Sequence, residues 1–459
     1  MAKAANGSLL AKNCHFSLTF NYVIFSFGQA VVREKHELET ILAGFSAHER
    51  QRLGQSIPGR SPQRSLMPTA LLTLGRLPKA LAMARALRTQ GYRVLVAEPF
   101  AWHVSRVSRD VARSYTLPPP NTDPEAYSEA LLNLIQVEDV DLVVPISEEA
   151  HYVLPIRNRL PSHVTLIGPD SAVYNALANK AQFIERASGK NLPVPVSARA
   201  NSPLASEIAR QHDYITKPVN GCSGIAVEHH LAGQPLLSLN TEVLVQEKRE
   251  GPVVSSLSLV RDGNLLATAV YRGQIYAGTV AICFEREATD TAARVERWIT
   301  TFMQDLSYSG FIAFDFIIDT DGTPYAIECN PRLTSGIHFF EASSLGAAVS
   351  TRTNEPPKAH EKKAWQWRYS TLTEAYGALF AGNFKEFRRR IKLCWSVADV
   401  VWSWRDPLPF ILMTPLSWPI LKPAIFEGIT LGEACQRDIA PLWLSSADAA
   451  DIKGVGNEA

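Results

Sequence analysis

Phe311-Ile-Ala-Phe-Asp-Phe-Ile-Ile-Asp-Thr-Asp-Gly-Thr-Pro-Tyr-Ala-Ile-Glu-Cys-Asn-Pro-Arg-Leu-Thr-Ser-Gly336 is the stretch from which the rest of the chain can be read. It has the form of two β-strands joined at Asp321-Gly322, a dipeptide strongly associated with tight hairpins. With Asp321 and Gly322 as the two central turn residues, Asp315 falls directly opposite Glu328, and Asn330 points to the same face. Carboxylates opposed across a ladder repel each other at a Cβ separation of roughly 5 Å. A cation between them removes that cost, and two carboxylates plus an amide oxygen are hard ligands suited to Mg2+ and phosphate oxygens. The plainer alternative is a solvated hairpin that happens to carry acids. Against it, both acids interrupt strongly apolar strands, with Phe311-Ile-Ala-Phe before one and Tyr325-Ala-Ile before the other. Asp315, Glu328 and Asn330 are therefore the expected metal ligands.

At 459 residues the chain should hold two or three domains. Its 46% hydrophobic and 20% charged residues are those of an ordinary globular protein able to bury a full core. A formal net charge of +1 shows no nucleic-acid footprint. The six cysteines are scattered with no CxxC pair, which fits a reducing cytoplasm and argues against a disulfide framework or a zinc site. Residues 13–32 are apolar enough to resemble a signal or anchor, yet they carry Asn, His and Gln and lack a small-residue cleavage site. The first 66 residues are expected to be a poorly ordered extension, with Met67 as the alternative start of the chain.

The regular pattern begins after Met67. Thr69-Ala-Leu-Leu-Thr-Leu74 is a buried strand, Pro78 to Gln90 a helix stopped by Gly91, and Tyr92-Arg-Val-Leu-Val-Ala97 the next strand. This unit implies parallel strands and a right-handed crossover. A helix from Asp123, a strand at Asp141-Leu-Val-Val-Pro-Ile146 and another at Val164–Gly168 complete a small doubly wound α/β domain over 67–170. The loop Gly75-Arg-Leu-Pro-Lys79 lacks the GxGxxG spacing of a dinucleotide site. The strand-end residues Arg76, Glu98, Ser147, Glu148 and Glu149 are placed to line a substrate crevice, or are solvated loop ends.

Further on, Asn179-Lys180 opens a helix ending near Gly189, and Tyr214-Ile-Thr-Lys217 runs into the loop Asn220-Gly221-Cys-Ser223-Gly224. A lysine ending an apolar strand before a glycine loop is a phosphate-cradle arrangement, because glycines let backbone N–H groups converge on an anion. Val243-Leu-Val-Gln246-Glu247 is another strand, followed by a hairpin turning at Arg261-Asp-Gly-Asn264.

In this order, over roughly residues 67–340, these motifs resemble the ATP-grasp superfamily of ligases; the thirteen-residue step from Asp315 to Glu328 and the run Glu328-Cys-Asn-Pro-Arg332 are the most specific. The resemblance implies an ATP-grasp fold of α/β and α+β character over 171–350, preceded by the doubly wound domain, with ATP held between two subdomains. It implies phosphate contacts from Lys180 and Lys217 and a lid within about 180–250 whose tip is Asn220, Gly221, Ser223 and Gly224. Gln246 and Glu247 would meet adenine, and Asp315, Glu328 and Asn330 would hold Mg2+, with Mn2+ as a substitute. Arg332, with Lys217, would steady the transferred phosphoryl group. Family hinges often run Gln-Glu-aromatic-x-x-Gly-x-Glu, the last acid meeting ribose. Here Val253 stands at that place, leaving Glu250 as the substitute acid.

Arg106-Val-Ser-Arg, Ser114 to Tyr127 and Arg405-Asp-Pro-Leu-Pro-Phe410 resemble, over short segments only, the ATP-grasp ligases of mycosporine biosynthesis, which attach glycine to 4-deoxygadusol. The expected activity is thus phosphorylation of a substrate oxygen followed by displacement by an amine or amino acid. The alternatives are a carboxylate–amine ligase and a degenerate nucleotide-binding module. Residues 351–459 read as a polar linker and a region holding seven of the nine tryptophans. A helical cap on the catalytic domain is expected there, with peripheral membrane contact as the alternative. A homodimer is compatible with the sequence.

Overall fold

The computed structural model of the chain describes residues 67–221, 227–236 and 242–441. The expected extension over 1–66 lies outside the described residues. Contacts divide the described chain into two units, residues 67–374 with 390–441, and residues 375–389.

The large unit begins with five parallel strands, β1 (Thr69–Leu72), β2 (Arg93–Glu98), β3 (Arg113–Thr116), β4 (Leu142–Val144) and β5 (Thr165–Leu166), in the order β3-β2-β1-β4-β5. Alternation along β1 explains its continuous apolar run. Ala70 and Leu72 join Leu81, Ala84 and Leu87 of helix α1 (Pro78–Thr89) on one face. Leu71 joins Tyr127 and Leu131 of α2 (Pro124–Val137) on the other. A parallel sheet covered on both faces needs no polar alternation.

A four-stranded sheet comprises β6 (Ser197–Arg199), β7 (Tyr214–Pro218), β8 (Glu228–His230) and β9 (Val243–Glu247), ordered β6-β9-β7-β8 and antiparallel. The helix Pro203–Gln211 packs on it through Ala205, Ile208 and Ala209. The large sheet holds β10 (Val253–Arg261), β11 (Asn264–Ala277), β12 (Val280–Arg286), β13 (Gly310–Ile318), β14 (Pro324–Asn330), β15 (Ala364–Gln366) and β16 (Ala398–Asp399), ordered β14-β13-β10-β11-β12-β15-β16. One face buries Ile312, Phe314 and Phe316 against Phe183 and Ile184 of the helix Lys180–Gly189, and against Trp298 and Phe302 of the helix Thr289–Met303. The other places Leu257, Tyr271, Phe311 and Ala313 in the same core as α1. Helix α1 also meets the helix Ala342–Val349 closely, since a Cβ on Gly346 would stand 2.2 Å from the Ala86 carbonyl.

Asp315 does face Glu328, but by a different route from the one expected. The turn is a three-residue loop, Thr320-Asp321-Gly322, closed by Gly322 N donating to Asp319 O and Asp319 N to Thr323 O. Gly322 sits at φ +80°, the left-handed position that ends this turn type. The extra residue shifts the pairing to Ile318–Pro324 and Phe316–Ala326. A bulge beside Ile327 then restores the Asp315–Glu328 register.

Beyond residue 350 the chain is not solely the helical cap expected. β15 adds to the large sheet beside β12, and β16 pairs parallel to β15. Gln366 is fully buried, its amide donating to the carbonyls of Leu393, Cys394 and Val397. Among the described residues no helix is long and apolar enough to cross a membrane. In the small unit, Asn383 Oδ1 accepts from Glu386 N, and Glu386 pairs with Arg389.

The crevice expectation holds for only some strand-end residues. Arg76 and Glu98 are buried in an ion pair, with Arg76 Nη2 also donating to Asp438 Oδ2 at 2.7 Å. Glu98 accepts from the backbone N–H groups of Gly75 and Arg76 as well. Glu149 is buried and accepts from Ile146 N, Ser147 N and the Thr73 hydroxyl. These groups pin loop ends and the C-terminal segment in place. Removing one partner of a buried pair leaves a stranded charge, so Glu98→Gln should lower unfolding free energy by about 3 kcal/mol. Urea denaturation checks this, and an unchanged midpoint would contradict it.

Candidate functional site

Asn179 caps the helix Lys180–Gly189, its Oδ1 accepting from Gln182 N. Its amide also donates to Asn220 Oδ1 at 2.9 Å, and Lys180 N donates to Val219 O at 3.0 Å. This stitches the helix start to the loop after β7. Lys180 Nζ reaches the Gly221 carbonyl and stands 3.3 Å from Glu328. Ser223 and Gly224, expected at the loop tip, lie outside the described residues.

Lys217 ends β7 as a buried cation, donating to Gln246 Oε1 at 2.9 Å and to Ile327 O at 3.0 Å. The bulge beside Ile327 therefore sits where a carbonyl meets this lysine. Burial, with the Lys180 charge nearby, pushes the Lys217 ammonium down to about 7. Gln246 is committed on both sides, since its Nε2 donates to Ser197 Oγ at 2.8 Å. Glu247 pairs with Arg249, whose guanidinium also lies 3.5 Å from Asp319 and over the Tyr325 ring. Glu250 is almost fully exposed and Val253 is exposed, so neither supplies a buried acid at the hinge. Gly251, at φ +148°, passes so close to Ile318 O that a Cβ would stand 2.1 Å from it.

Asp315 accepts from the Ser255 hydroxyl at 2.5 Å, and Asn330 Nδ2 lies 3.4 Å from its other oxygen. Burial and the facing Glu328 charge push the Asp315 carboxyl up to about 6. Among the described residues no cluster of three His, Cys, Asp or Glu side chains forms. The donor set is two carboxylates and an amide, all oxygen donors, on one face of the hairpin. Such a set suits a hard divalent cation, which would offset both the burial of Asp315 and the facing charge of Glu328.

From this pair a chain of polar contacts crosses to the first sheet. Asn330 Oδ1 accepts from Arg332 Nη2 at 3.0 Å, and the same nitrogen donates to Glu148 Oε1 at 2.7 Å. Glu148 Oε2 accepts from Ser147 Oγ at 2.7 Å. Ser147 Oγ accepts from Lys79 Nζ at 3.1 Å, and Lys79 also holds the Leu333 carbonyl at 2.8 Å. Burial and the Arg332 charge hold the Lys79 ammonium below its ordinary value.

Two cavities flank Glu328. One of about 430 Å3 is lined by Glu148, His151, Asn175, Asn179, Asn330 and Arg332 among others. The other, of about 270 Å3, is bounded by Lys180, Lys217, Ile215, Gln246, Glu247 and Ile327 and is largely apolar. Lys180, Lys217, Asn220, Gly221, Gln246, Glu247, Asp315, Glu328, Asn330 and Arg332 are thus brought to one region. Sequence reading did not identify Lys79, His151, Ser197 or Ser255 there. Ser255 becomes visible only through its pairing with Asp315 across β10 and β13. His338, beyond the hairpin, is buried near Phe284 and Trp365, and burial pushes it down to about 3.

Residues 177–336 match the ATP-grasp domain family. A search of curated proteins finds no match to the chain. Similar solved structures include the biotin carboxylase domain of Hydrogenobacter thermophilus 2-oxoglutarate carboxylase, at 14% identity over 63% of this chain and 71% of that one, TM-score 0.52. Biotin carboxylase from Campylobacter jejuni is 15% identical over 64% of this chain and 74% of that one, TM-score 0.53. N5-carboxyaminoimidazole ribonucleotide synthetase, purK, is 18% identical over 70% of this chain and 87% of that one, TM-score 0.53. At these identities the likeness is one of fold.

The Lys217 assignment has a pH signature. Its folded value of about 7 lies below the ordinary 10.5, so between those values the unfolded chain binds more protons. The cost of burying the ammonium is full below pH 7 and vanishes as pH rises toward 10.5. Compared with Lys217→Met, the wild type should gain melting temperature as pH rises through that window. A difference between the two proteins that stays constant with pH would contradict the assignment.

Proposed function

With residues 177–336 forming an ATP-grasp domain, we propose that the chain is an ATP-dependent, ADP-forming carbon–nitrogen ligase. It phosphorylates a substrate oxygen, and an amine displaces the phosphate. The observation that carries this reading is the Asp315–Glu328 pair, set between two cavities with Lys180 and Lys217 beside it. The H. thermophilus domain of similar fold was captured with MgADP, ADP and bicarbonate, which supports a magnesium nucleotide and a small oxyanion as ligands of such a fold.

In this reading the largely apolar cavity receives the adenine end of ATP, with Gln246 and Glu247 at its edge. Lys180, Lys217 and the loop at Asn220, Gly221, Ser223 and Gly224 attend the phosphates. Asp315, Glu328 and Asn330 would hold Mg2+, which when bound neutralises phosphate charge; Mn2+ offers the same chemistry. Arg332, held by Glu148 and Asn330, lines the larger cavity and would steady charge on the transferred group. Phosphoryl transfer needs such positioning and charge neutralisation more than covalent help.

A narrower reading makes the acceptor a 4-deoxygadusol-like cyclohexenone and the amine glycine. Its support is the sequence likeness of segments near Arg106 and Arg405. Those segments meet each other, with Ser108 Oγ donating to Asp406 at 2.7 Å and Arg109 N to the same carboxylate. Arg106, Ser108, Arg405 and Asp406 line neither cavity, so their likeness speaks to how the C-terminal region is attached more than to the substrate.

The test is ADP release with MgATP and paired acceptors and amines, including a cyclohexenone with glycine and carboxylic acids with amino acids. Glu328→Gln and Asp315→Asn should each lower the rate on the order of 100-fold or more. Release of AMP in place of ADP, or activity untouched by Glu328→Gln, would overturn the reading.

A further inference from the structure

The larger cavity contains a histidine that none of the motifs accounts for. His151 lies in the short helical turn Ala150–Val153 just after Glu148, and lines the same cavity as Glu148, Glu328, Asn330 and Arg332. Its Nδ1 is 3.0 Å from Asn175 Oδ1, and Asn175 is itself a cavity residue on the helix Ser171–Ala178. With the amide oxygen as acceptor, Nδ1 carries the proton and Nε2 is the basic nitrogen. The Tyr152 ring stands edge-on at 5.1 Å and Tyr174 lies at 6.5 Å, fixing the imidazole plane.

Glu148 takes Arg332 on one oxygen and Ser147 on the other, and Glu328 faces Lys180. Resting on the ligase reading above, we propose that His151 is the proton acceptor for the amine co-substrate, and that this cavity is the amine's binding chamber. An amine reaches the site as an ammonium and cannot attack until it loses a proton. His151 Nε2 takes that proton. The freed nitrogen lone pair then forms the C–N bond, the C–O bond to phosphate breaks, and the phosphate leaves with that electron pair. The second nitrogen proton goes to the departing phosphate, giving hydrogen phosphate, and the imidazolium returns its proton to water. The same inventory holds for a carboxyl phosphate or for the phosphate of an enolised ketone. Burial holds His151 below its ordinary value, so the neutral form prevails at neutral pH. The charged side chains that line the same cavity are Glu148, Arg332 and Glu328.

Hydroxylamine separates the base from the rest of the machinery, because it is largely unprotonated at neutral pH and needs no acceptor before attack. With MgATP and a panel of carboxylic acids, His151→Gln should lose about 100-fold in coupling to amino acids. Coupling to hydroxylamine, read as hydroxamate, should be rescued to within a few-fold of wild type. Asn175→Asp should raise the His151 basicity and move the acidic limb of the amine-coupling pH profile to higher pH, a readout that survives if His151→Gln folds poorly. Equal losses with hydroxylamine and amino acids, or an unmoved pH limb in Asn175→Asp, would overturn the proposal while leaving the ligase reading standing. Wild-type protein that releases no ADP with any pair would overturn both.

Discussion

Two like charges held face to face are the constraint on which the catalytic half of the molecule is built. Asp315 and Glu328 are opposed by strand register, and that register survives only because two irregularities cancel. The three-residue loop ending at Gly322 offsets the pairing by one residue, and the bulge beside Ile327 offsets it back. Either alone would place Glu328 out of step with Asp315, because a one-residue slip sends a strand's side chains to the opposite face. The bulge has a second consequence. The Ile327 carbonyl accepts from Lys217, so the irregularity that restores the acids also anchors a cation beside them.

The acids lie at the end of the sheet face that the first domain covers. Phe311 and Ala313, on the same face of β13 as Asp315, are in the apolar core shared with α1. Where that core ends, the polar chain Asn330–Arg332–Glu148–Ser147–Lys79 begins. Arg332 is therefore positioned by a carboxylate that follows β4 and by an amide at the end of β14. Lys79 fixes both ends of this bridge, through Ser147 on one side and the Leu333 carbonyl on the other. A buried, hydrogen-bonded network of this kind is costly to break at any one member, which gives the site a single geometry.

Much of this was legible in the sequence where the signal was local. The Asn179 cap before Lys180, the Lys217 strand end and the Asp262-Gly263 hairpin follow from patterns a few residues long, whereas the opposition of Asp315 and Glu328 was reached only because an extra turn residue and a bulge cancel. What was not legible depends on partners far apart in the chain. Arg76 and Glu98 read as crevice residues because each lies at a strand end, yet they pair with each other, and Arg76 also pairs with Asp438, hundreds of residues on. The strand Ala364–Gln366 is too short for a periodic signal, and only its pairing with Cys283, Phe284 and Glu285 makes it part of the sheet. The bulge beside Ile327 has no glycine to announce it.

The hinge shows how local departure and distant compensation combine. The expected ribose acid is Val253, and Glu250 faces solvent, but the segment is far from idle. Gly251 brings the backbone against Ile318, at the base of the same hairpin that carries the acids. Arg249 bridges Glu247 to Asp319 and lies over Tyr325, tying the hinge to the hairpin loop. A guanidinium shared between two carboxylates and an aromatic face is held by several partial attractions, so loss of any one leaves the others in place. The segment 249–251 is thus coupled to the strands that carry Asp315 and Glu328 through Arg249, Gly251 and the loop at Asp319.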